Sequence, residues 1–317
     1  MLEVKVTRKH QEAEGICSFE LSRVDGEPLP AFTACAHIDV HVAPGLTRQY
    51  SLCNPPQERH RYVIAVLREP ASRGGSHGMH ELLQVGGTLA IGEPRNLFEL
   101  VPDADRYLLF AGGIGITPIL AMAWSLAHQG RAFELHYCSR SAERAAFVRQ
   151  LAEAPFANRV HTHFDDGSPG QKLDVAAVLG KPLAGQHVYV CGPGGFMDFI
   201  LGAAATFGWP AEQVHREYFA VPQPAHDANQ AFEVELARSG RVLEIPADKS
   251  VFEVLDAAGV QIDTSCEQGI CGCCLTRVMA GIPDHRDQFM TDAERALNNQ
   301  FTPCCSRSRS PRLVLDL

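Results

Sequence analysis

Nine residues, Cys266 to Cys274, read CEQGICGCC and hold four of the chain's eleven cysteines. Five others (Cys17, Cys35, Cys53, Cys138, Cys191) stand singly, as small buried hydrophobes do. The clustered set is spaced Cys266-x4-Cys271-x2-Cys274, with Cys304 far downstream. Zinc sites favour two C-x2-C pairs, or cysteine with histidine at short intervals. C-x4-C-x2-C with a remote fourth cysteine is instead the spacing of a plant-type [2Fe–2S] cluster. Gly269 and Gly272 let the loop wrap tightly, with N–H groups turned toward sulfur. Cys273 breaks the rhythm and reads as a bystander. Spacing alone leaves both Cys304 and Cys305 open as the fourth ligand.

An iron–sulfur centre names no reaction, so the other motifs matter. RQYSL, Arg48 to Leu52, can aim a guanidinium at a phosphate while its aromatic packs on a ring. Arg73-Gly74-Gly75-Ser76 offers backbone N–H groups and a hydroxyl, a phosphate nest. GGIGITP, Gly112 to Pro118, lacks the full G-x-G-x-x-G pattern. It nevertheless follows a buried strand and opens a helix, where a pyrophosphate gains from the helix N-terminus. CGPGGFM, from Cys191, repeats that context. Singly, these motifs also fit an ordinary strand or tight turns; together they suggest sites for phosphate-bearing ligands. The fourteen histidines show no ligand spacing, and no nucleophile–base constellation is visible. Catalysis is therefore expected to be cofactor chemistry positioned by protein.

The elements that must hold these residues fall into three textures. Residues 1–101 alternate (Leu2, Val4, Val6) and carry short β-type runs such as RYVIAVLRE, punctuated by Gly and Pro, which predicts an antiparallel β-barrel. Residues 102–223 alternate strands with helices: RYLLFA, FELHYC, RVHTHF and HVYVC as strands, SAERAAFVRQLAEA as a helix. A helix ILAMAWSLAHQ is expected to be capped by Thr117, with Pro118 in its first turn and Gly130 as its stop. This predicts a parallel, doubly wound sheet with ligands at the carboxyl ends of its strands. VPQPAHDANQ, Val221 to Gln230, is rich in Pro and polar residues and supplies a linker, bounded at 224–230. Residues 231–317 read strand (FEVEL), strand (RVLEI), a helix with the capping box Ser250 and Glu253, the cysteine loop and a closing strand LVLDL: a small α+β domain.

The bulk properties set limits. At 317 residues, two or three domains are expected. A hydrophobic content of 45% and mean hydropathy of −0.08 describe an ordinary soluble protein. A net charge of −9 argues against nucleic acid. MLEVKVTRKH carries charges where a signal peptide needs an apolar core, and no apolar run reaches the ~20 residues of a membrane helix. Eleven cysteines without an export signal point to a cytoplasmic protein.

CEQGICGCCLTRVMAGIPDHRDQFMTDAER and FTPCCSRSRSPRLVLDL resemble the C-terminal ferredoxin domain of the phthalate dioxygenase reductase family, which includes vanillate O-demethylase reductases. Its members supply electrons to Rieske-type oxygenases. The resemblance spans essentially the whole chain. It implies a ferredoxin-reductase-like barrel, a nucleotide domain and a β-grasp ferredoxin domain whose ligands fall on Cys266, Cys271, Cys274 and Cys304. Many relatives have a small hydroxyl residue at Cys273 and an aliphatic one at Cys305. The flavin implied is FMN, with Arg48 and Ser76 near its phosphate and Gly74 and Gly75 beside them. Tyr50, Ser51 and Leu52 would lie along the isoalloxazine, with Ala65 and Val66 opposite. Leu67 stands where some relatives have lysine. The nucleotide implied is NADH, held by Gly113, Gly115 and Ile116. Thr117 would touch the nicotinamide edge, and Cys191, Gly192 and Pro193 would border its path. Arg140 would reach the adenosine ribose or a 2′-phosphate, which leaves NADPH open. Phe219 would close against the flavin. Thr117, Ser51 and Phe219 are the candidate catalytic residues.

NADH releases two electrons together and a [2Fe–2S] cluster accepts one, so a flavin between them is the converter this order of modules requires. The expectation is a monomeric NADH-dependent FMN/[2Fe–2S] oxidoreductase, the reductase component of a two-component Rieske-type oxygenase, with no nucleic acid or membrane as partner. Alternatives are a reductase serving a cytochrome P450 or a small quinone, or a non-enzymatic zinc or redox-sensing module. From Asp227 to Leu317 there are fourteen acidic and nine basic side chains, which suits a basic docking face on the partner.

Overall fold

Val4 and Val6 are buried while Glu3 and Lys5 beside them are exposed, so the alternation read in the first strand is the signature of a one-sided sheet. The structure is a computed structural model and describes residues 1–70, 72, 74–219 and 229–317. The chain divides into two compact units, Met1–Phe219 and Ala220–Leu317.

In the first unit, β1 (Leu2–Ala13), β2 (Ile16–Arg23), β3 (His37–Ala43), β4 (Leu46–Ser51), β5 (Tyr62–Leu67) and β6 (Thr88–Ile91) pair in the order β4-β3-β6-β1-β2-β5. All these pairings are antiparallel. Leu52 bridges Ile64 and the Cys53 N–H donates to the Val63 carbonyl at 2.9 Å, which joins the two outer strands and closes the expected barrel. One short helix, α1 (Gly75–Glu81), packs on it.

The same unit carries β7 (Arg106–Gly112), β8 (Ala132–Ser139), β9 (Val160–Phe164), β10 (Gln186–Cys191) and β11 (Val214–Glu217), all parallel, in the order β11-β10-β7-β8-β9. Helix α2 (Ile116–His128) covers one face. On the other, Met197 and Ile200 of α5 (Gly194–Thr206) pack on Leu108, Phe110, Val188 and Val190. The sheet is therefore doubly wound. The barrel has a core of its own and also packs on the sheet: Ile16, Cys35, Cys53 and Ala65 lie in one apolar cluster with Leu109, Ile116, Ile119 and Tyr189.

Two local expectations need correcting. Thr117 does not cap α2. Gly115 is the N-cap, and the Thr117 hydroxyl donates to the Ile114 carbonyl at 3.1 Å. The stop at Gly130 holds, with φ +66° and N–H bonds from Gly130 to Ala127 and Arg131 to Leu126. The helix expected over SAERAAFVRQLAEA is reduced to α3 (Val148–Glu153) behind a 3₁₀ turn at Ala142–Arg144. Ala145, Ala146 and Phe147 are all buried, and Phe147 is left-handed at φ +62°; one face of a helix does not present three successive residues to a core. Between α3 and α5 lies α4 (Val175–Leu179).

The second unit holds β12 (Phe232–Leu236), β13 (Arg241–Ile245), β14 (Thr276–Ala280), β16 (Gln300–Phe301) and β18 (Arg312–Leu315) in one sheet ordered β13-β12-β18-β14-β16, with β15 (Pro283–Asp284) and β17 (Arg307–Ser308) paired apart. Strands β12 and β18 are parallel, and α6 (Val251–Ala257) packs Val251 and Leu255 into their core, a β-grasp arrangement. The Ser250 hydroxyl accepts from the Glu253 N–H at 3.1 Å, and the Glu253 carboxylate accepts from the Ser250 N–H at 2.7 Å. This capping box is worth about 1 kcal/mol. A second one, Thr291 with Glu294, starts α7 (Asp292–Ala296). Of the expected linker, residues 224–228 lie outside the described residues. Among the described residues no helix is long and apolar enough to cross a membrane.

Candidate cofactor sites

The cysteine loop is built around its glycines. Gly269 and Gly272 have φ +73° and +69°. A Cβ on Gly269 would collide with the Cys305 sulfur, and one on Gly272 with the ring of Phe289. The segment before α7 clamps the loop from outside: the Gln288 N–H donates to the Gly269 carbonyl at 2.8 Å. Inside the loop, the N–H groups of Gln268 and Ile270 point at Cys266 Sγ (3.4 Å each), and that of Cys273 at Cys271 Sγ (3.5 Å). N–H groups aimed at sulfur stabilise thiolate, the form that binds iron.

All eleven cysteines are free, and the clustered thiols associate in pairs. Hydrogen bonding to Cys271 is the main cause of a raised Cys266 pKa, and hydrogen bonding to Cys274 the main cause for Cys304, with Cys305 second. The Cys305 sulfur lies under Gly269, 3.3 Å from the Thr302 hydroxyl. Phe252 of α6 anchors the Cys304 turn, its N–H donating to the Pro303 carbonyl at 3.0 Å. Four partly to fully buried thiols in two pairs, one pair fed by backbone N–H groups, fit a two-iron cluster.

In the first unit the two glycine-rich turns meet. Strand order reverses between β7 and β10, and both turns leave the carboxyl ends of those two strands, the crevice where open α/β sheets take ligands. A Cβ on Gly115 would strike the Cys191 carbonyl, and one on Gly192 would fall 3.0 Å from the Gly112 Cα. Gly113, at φ +52°, has open space around it. Ile116, Thr117 and Cys191 are buried, Pro193 is exposed at the start of α5, and Arg140 is exposed just past the end of β8.

On the barrel, Arg48 lies along Gly75, where a Cβ would fall 2.6 Å from Arg48 Cγ. Gly74 is left-handed at φ +92° and heads α1. The Ser76 hydroxyl accepts from the Glu69 N–H at 3.1 Å, and Arg73 lies outside the described residues. The Leu52–Ile64 bridge brings Tyr50 to Leu52 beside Ala65 and Val66. Leu52 and Val66 are in the barrel core, so their side chains are not offered to a ligand; Ser51 and Ala65 are also buried, and Tyr50 is half-buried. Burial raises the Tyr50 pKa, with Arg48 opposing. Phe219 is 38% exposed at the end of the described part of this unit. The Arg48–Gly75 cradle and the converging turns fit a phosphate-bearing flavin and a dinucleotide.

Sequence reasoning missed Glu217. It ends β11 in register with Cys191, and its Oε2 is buried without a hydrogen-bond partner. Burial pushes its pKa up to about 8. Its charge also raises the thiol pKa values of Cys35 and Cys191, after burial. The Cys35 thiol in turn donates to the Pro118 carbonyl at 3.3 Å, tying barrel to α2. An acidic residue closing an alternating strand, VHRE, was the available signal.

Comparison with known proteins identifies two of the domains that carry these residues. Residues 109–201 match the oxidoreductase NAD-binding domain and residues 234–309 the 2Fe-2S iron-sulfur cluster binding domain. A vanillate O-demethylase oxidoreductase from Pseudomonas putida is 55% identical over 318 residues, covering 100% of both chains. The structure of phthalate dioxygenase reductase, described as modular for electron transfer from pyridine nucleotides to [2Fe–2S], superposes with a TM-score of 0.80 at 42% identity, covering 100% of this chain and 98% of that one. An intact type IV self-sufficient cytochrome P450 monooxygenase matches with a TM-score of 0.84 at 38% identity, covering 100% of this chain and 41% of that one. The two matched domains are the nucleotide sheet and the cysteine-loop unit, the full-length relatives extend over the barrel as well, and the chain belongs to the phthalate dioxygenase reductase family.

Proposed function

We propose that the chain is the reductase component of a two-component Rieske-type oxygenase, a cytoplasmic monomer that takes electrons pairwise from NADH and passes them singly to the oxygenase through FMN and a [2Fe–2S] cluster. The observation that carries this reading is the meeting of the two glycine turns at the switch point of a sheet packed against the barrel that carries the Arg48–Gly75 cradle. One chain then offers a nucleotide crevice, a flavin cradle and a cluster loop.

The residues divide the work. Gly113, Gly115 and Ile116 admit a pyrophosphate to the start of α2, and Cys191, Gly192 and Pro193 border its path. Arg140 meets the adenosine end. Arg48 and Ser76 bind the flavin phosphate, with Gly74 and Gly75 giving room for close approach. The backbone of Ser51 and Leu52 lines the ring opposite Ala65 and Val66, with Tyr50 and Phe219 as aromatic walls. Thr117 and Ser51 orient the reacting rings, and Glu217 places a buried carboxyl at the end of β11 beside Cys191. Cys266, Cys271, Cys274 and Cys304 would hold the cluster through their thiolates, which would supply one-electron transfer there; Cys273 and Cys305 stand outside the proposed ligand set.

The test is reconstitution with purified Rieske-type oxygenases and NADH, scored by oxygenated product. Product should form with a cognate oxygenase and fall as salt is raised, since the ferredoxin region is acidic and its partner face basic. The relationship to the self-sufficient monooxygenase favours a second acceptor, a cytochrome P450. Product with a P450 and none with any Rieske-type oxygenase would select that reading instead.

A further inference from the structure

The histidines, which show no ligand spacing along the sequence, gather in space. Glu134 and His136 share one face of β8, His161 and His163 one face of β9, and the parallel register sets His136 beside His161. The His136 and His161 ring centroids are 4.9 Å apart with 17° between planes. One ligand atom each from Glu134, His136 and His161 lie within 4.8 Å of one another.

A chain of hydrogen bonds decides which nitrogen of His136 carries its proton. A carbonyl oxygen only accepts, so His163 Nδ1, 3.0 Å from the Gln171 carbonyl, must donate. In a neutral ring His163 Nε2 is then a bare acceptor, and it lies 3.1 Å from His136 Nδ1. His136 Nδ1 therefore donates, and His136 Nε2 keeps its lone pair. That Nε2 is buried without a hydrogen-bond partner on a side chain 5% exposed. The charged group facing it is Glu134 Oε2 at 3.8 Å, which also only accepts. A buried imidazole lone pair beside a carboxylate and a second imidazole is the donor set of a cation. The histidine that donates its other N–H into a fixed chain is the usual outer-shell pattern of a metal ligand.

We propose that Glu134, His136 and His161 form a binding site for a divalent transition ion of the zinc class, with His163 and the Gln171 carbonyl orienting His136. Three protein ligands leave one tetrahedral position for water. Tetrahedral zinc holds its ligand atoms roughly 3.3 Å apart, so the exposed His161 and the Glu134 carboxylate close in while His136 stays fixed. Arg106, 2.7 Å from Glu134 Oε1, is the cation with which the metal competes. The bound ion would cross-link β8 to the edge strand β9, on a face of the sheet to which no cofactor is assigned.

The test is calorimetric titration of Zn²⁺ into the full chain carrying flavin and iron–sulfur cluster, with the visible spectrum followed in parallel. One site is expected, with the cluster spectrum unchanged. His161→Ala, at an exposed position, and Glu134→Gln should each weaken binding roughly tenfold or more. His187→Ala, which removes the neighbour of His215 at 2.9 Å elsewhere on the sheet, should leave it intact. Absence of binding to the unsubstituted chain, equal affinity in His161→Ala, or zinc uptake that instead bleaches the cluster would overturn the proposal.

Discussion

The two units hold their candidate cofactor residues in opposite ways. In the second, three of the four proposed iron ligands come from one nine-residue loop, and the fourth from a turn pinned by α6. In the first, Arg48, Gly75, Gly115, Cys191 and Glu217 come from four strands or turns and one helix, and only a finished sheet brings them together. A local site can be damaged alone. A distributed site shares its packing with the fold, so damage there reaches both cofactors of that unit.

The sharpest separation is Cys271→Ser. The iron–sulfur absorption should be lost and reduction of a one-electron protein acceptor should fall by about a hundredfold or more, while the flavin is still reduced by NADH. If flavin reduction is lost as well, the two units are not independent. Gly115→Ala addresses the distributed site. The new methyl meets the Cys191 carbonyl, and overpacking of this kind costs about 1–3 kcal/mol, or about tenfold in affinity per 1.4 kcal/mol. KM for NADH should rise by about tenfold with the cluster spectrum unchanged; an unaltered KM would place the nucleotide elsewhere.

Glu217→Gln probes the pH dependence of the same unit. With its native pKa raised to about 8, the folded chain keeps a proton that the unfolded chain has already released. Stability conferred by the neutral carboxyl is therefore full at acidic pH, falls as pH rises from the ordinary carboxylate range to about 8, and levels off beyond it. The slope is at most about 1.4 kcal/mol per pH unit. Urea midpoints followed by flavin fluorescence should show this slope flattened in Glu217→Gln; parallel curves for both proteins would remove the assignment. The smallest effect is expected from Cys273→Ser, which should keep the cluster spectrum and its reduction by NADH.

What could be read from the text follows the same division. The C-x4-C-x2-C loop was legible because its ligands are set by spacing and its two left-handed glycines are visible as residues. Strand texture and the Ser250–Glu253 box were legible because they are local. Spacing left Cys304 and Cys305 both open, and in the structure the Cys304 thiol meets both Cys274 and Cys305, while the Cys305 sulfur lies beneath Gly269. Leu52 and Val66 show the limit of carrying roles along a motif: both side chains belong to the barrel core. Thr117 was misread as a cap because Gly115, packed on Cys191, starts the helix two residues earlier. Glu217 and the histidine cluster carry no linear signature, since each depends on register between strands far apart in sequence.

The central claim is that NADH, flavin and cluster form one electron path within this chain. Anaerobic addition of NADH to the loaded chain, followed by visible absorption, tests it directly. The flavin bands and the broad iron–sulfur absorption should bleach together in the unsubstituted protein, and only the flavin bands in Cys271→Ser. A colourless chain holding one zinc at its cysteines, or a cluster absorption that NADH leaves untouched, would contradict the account.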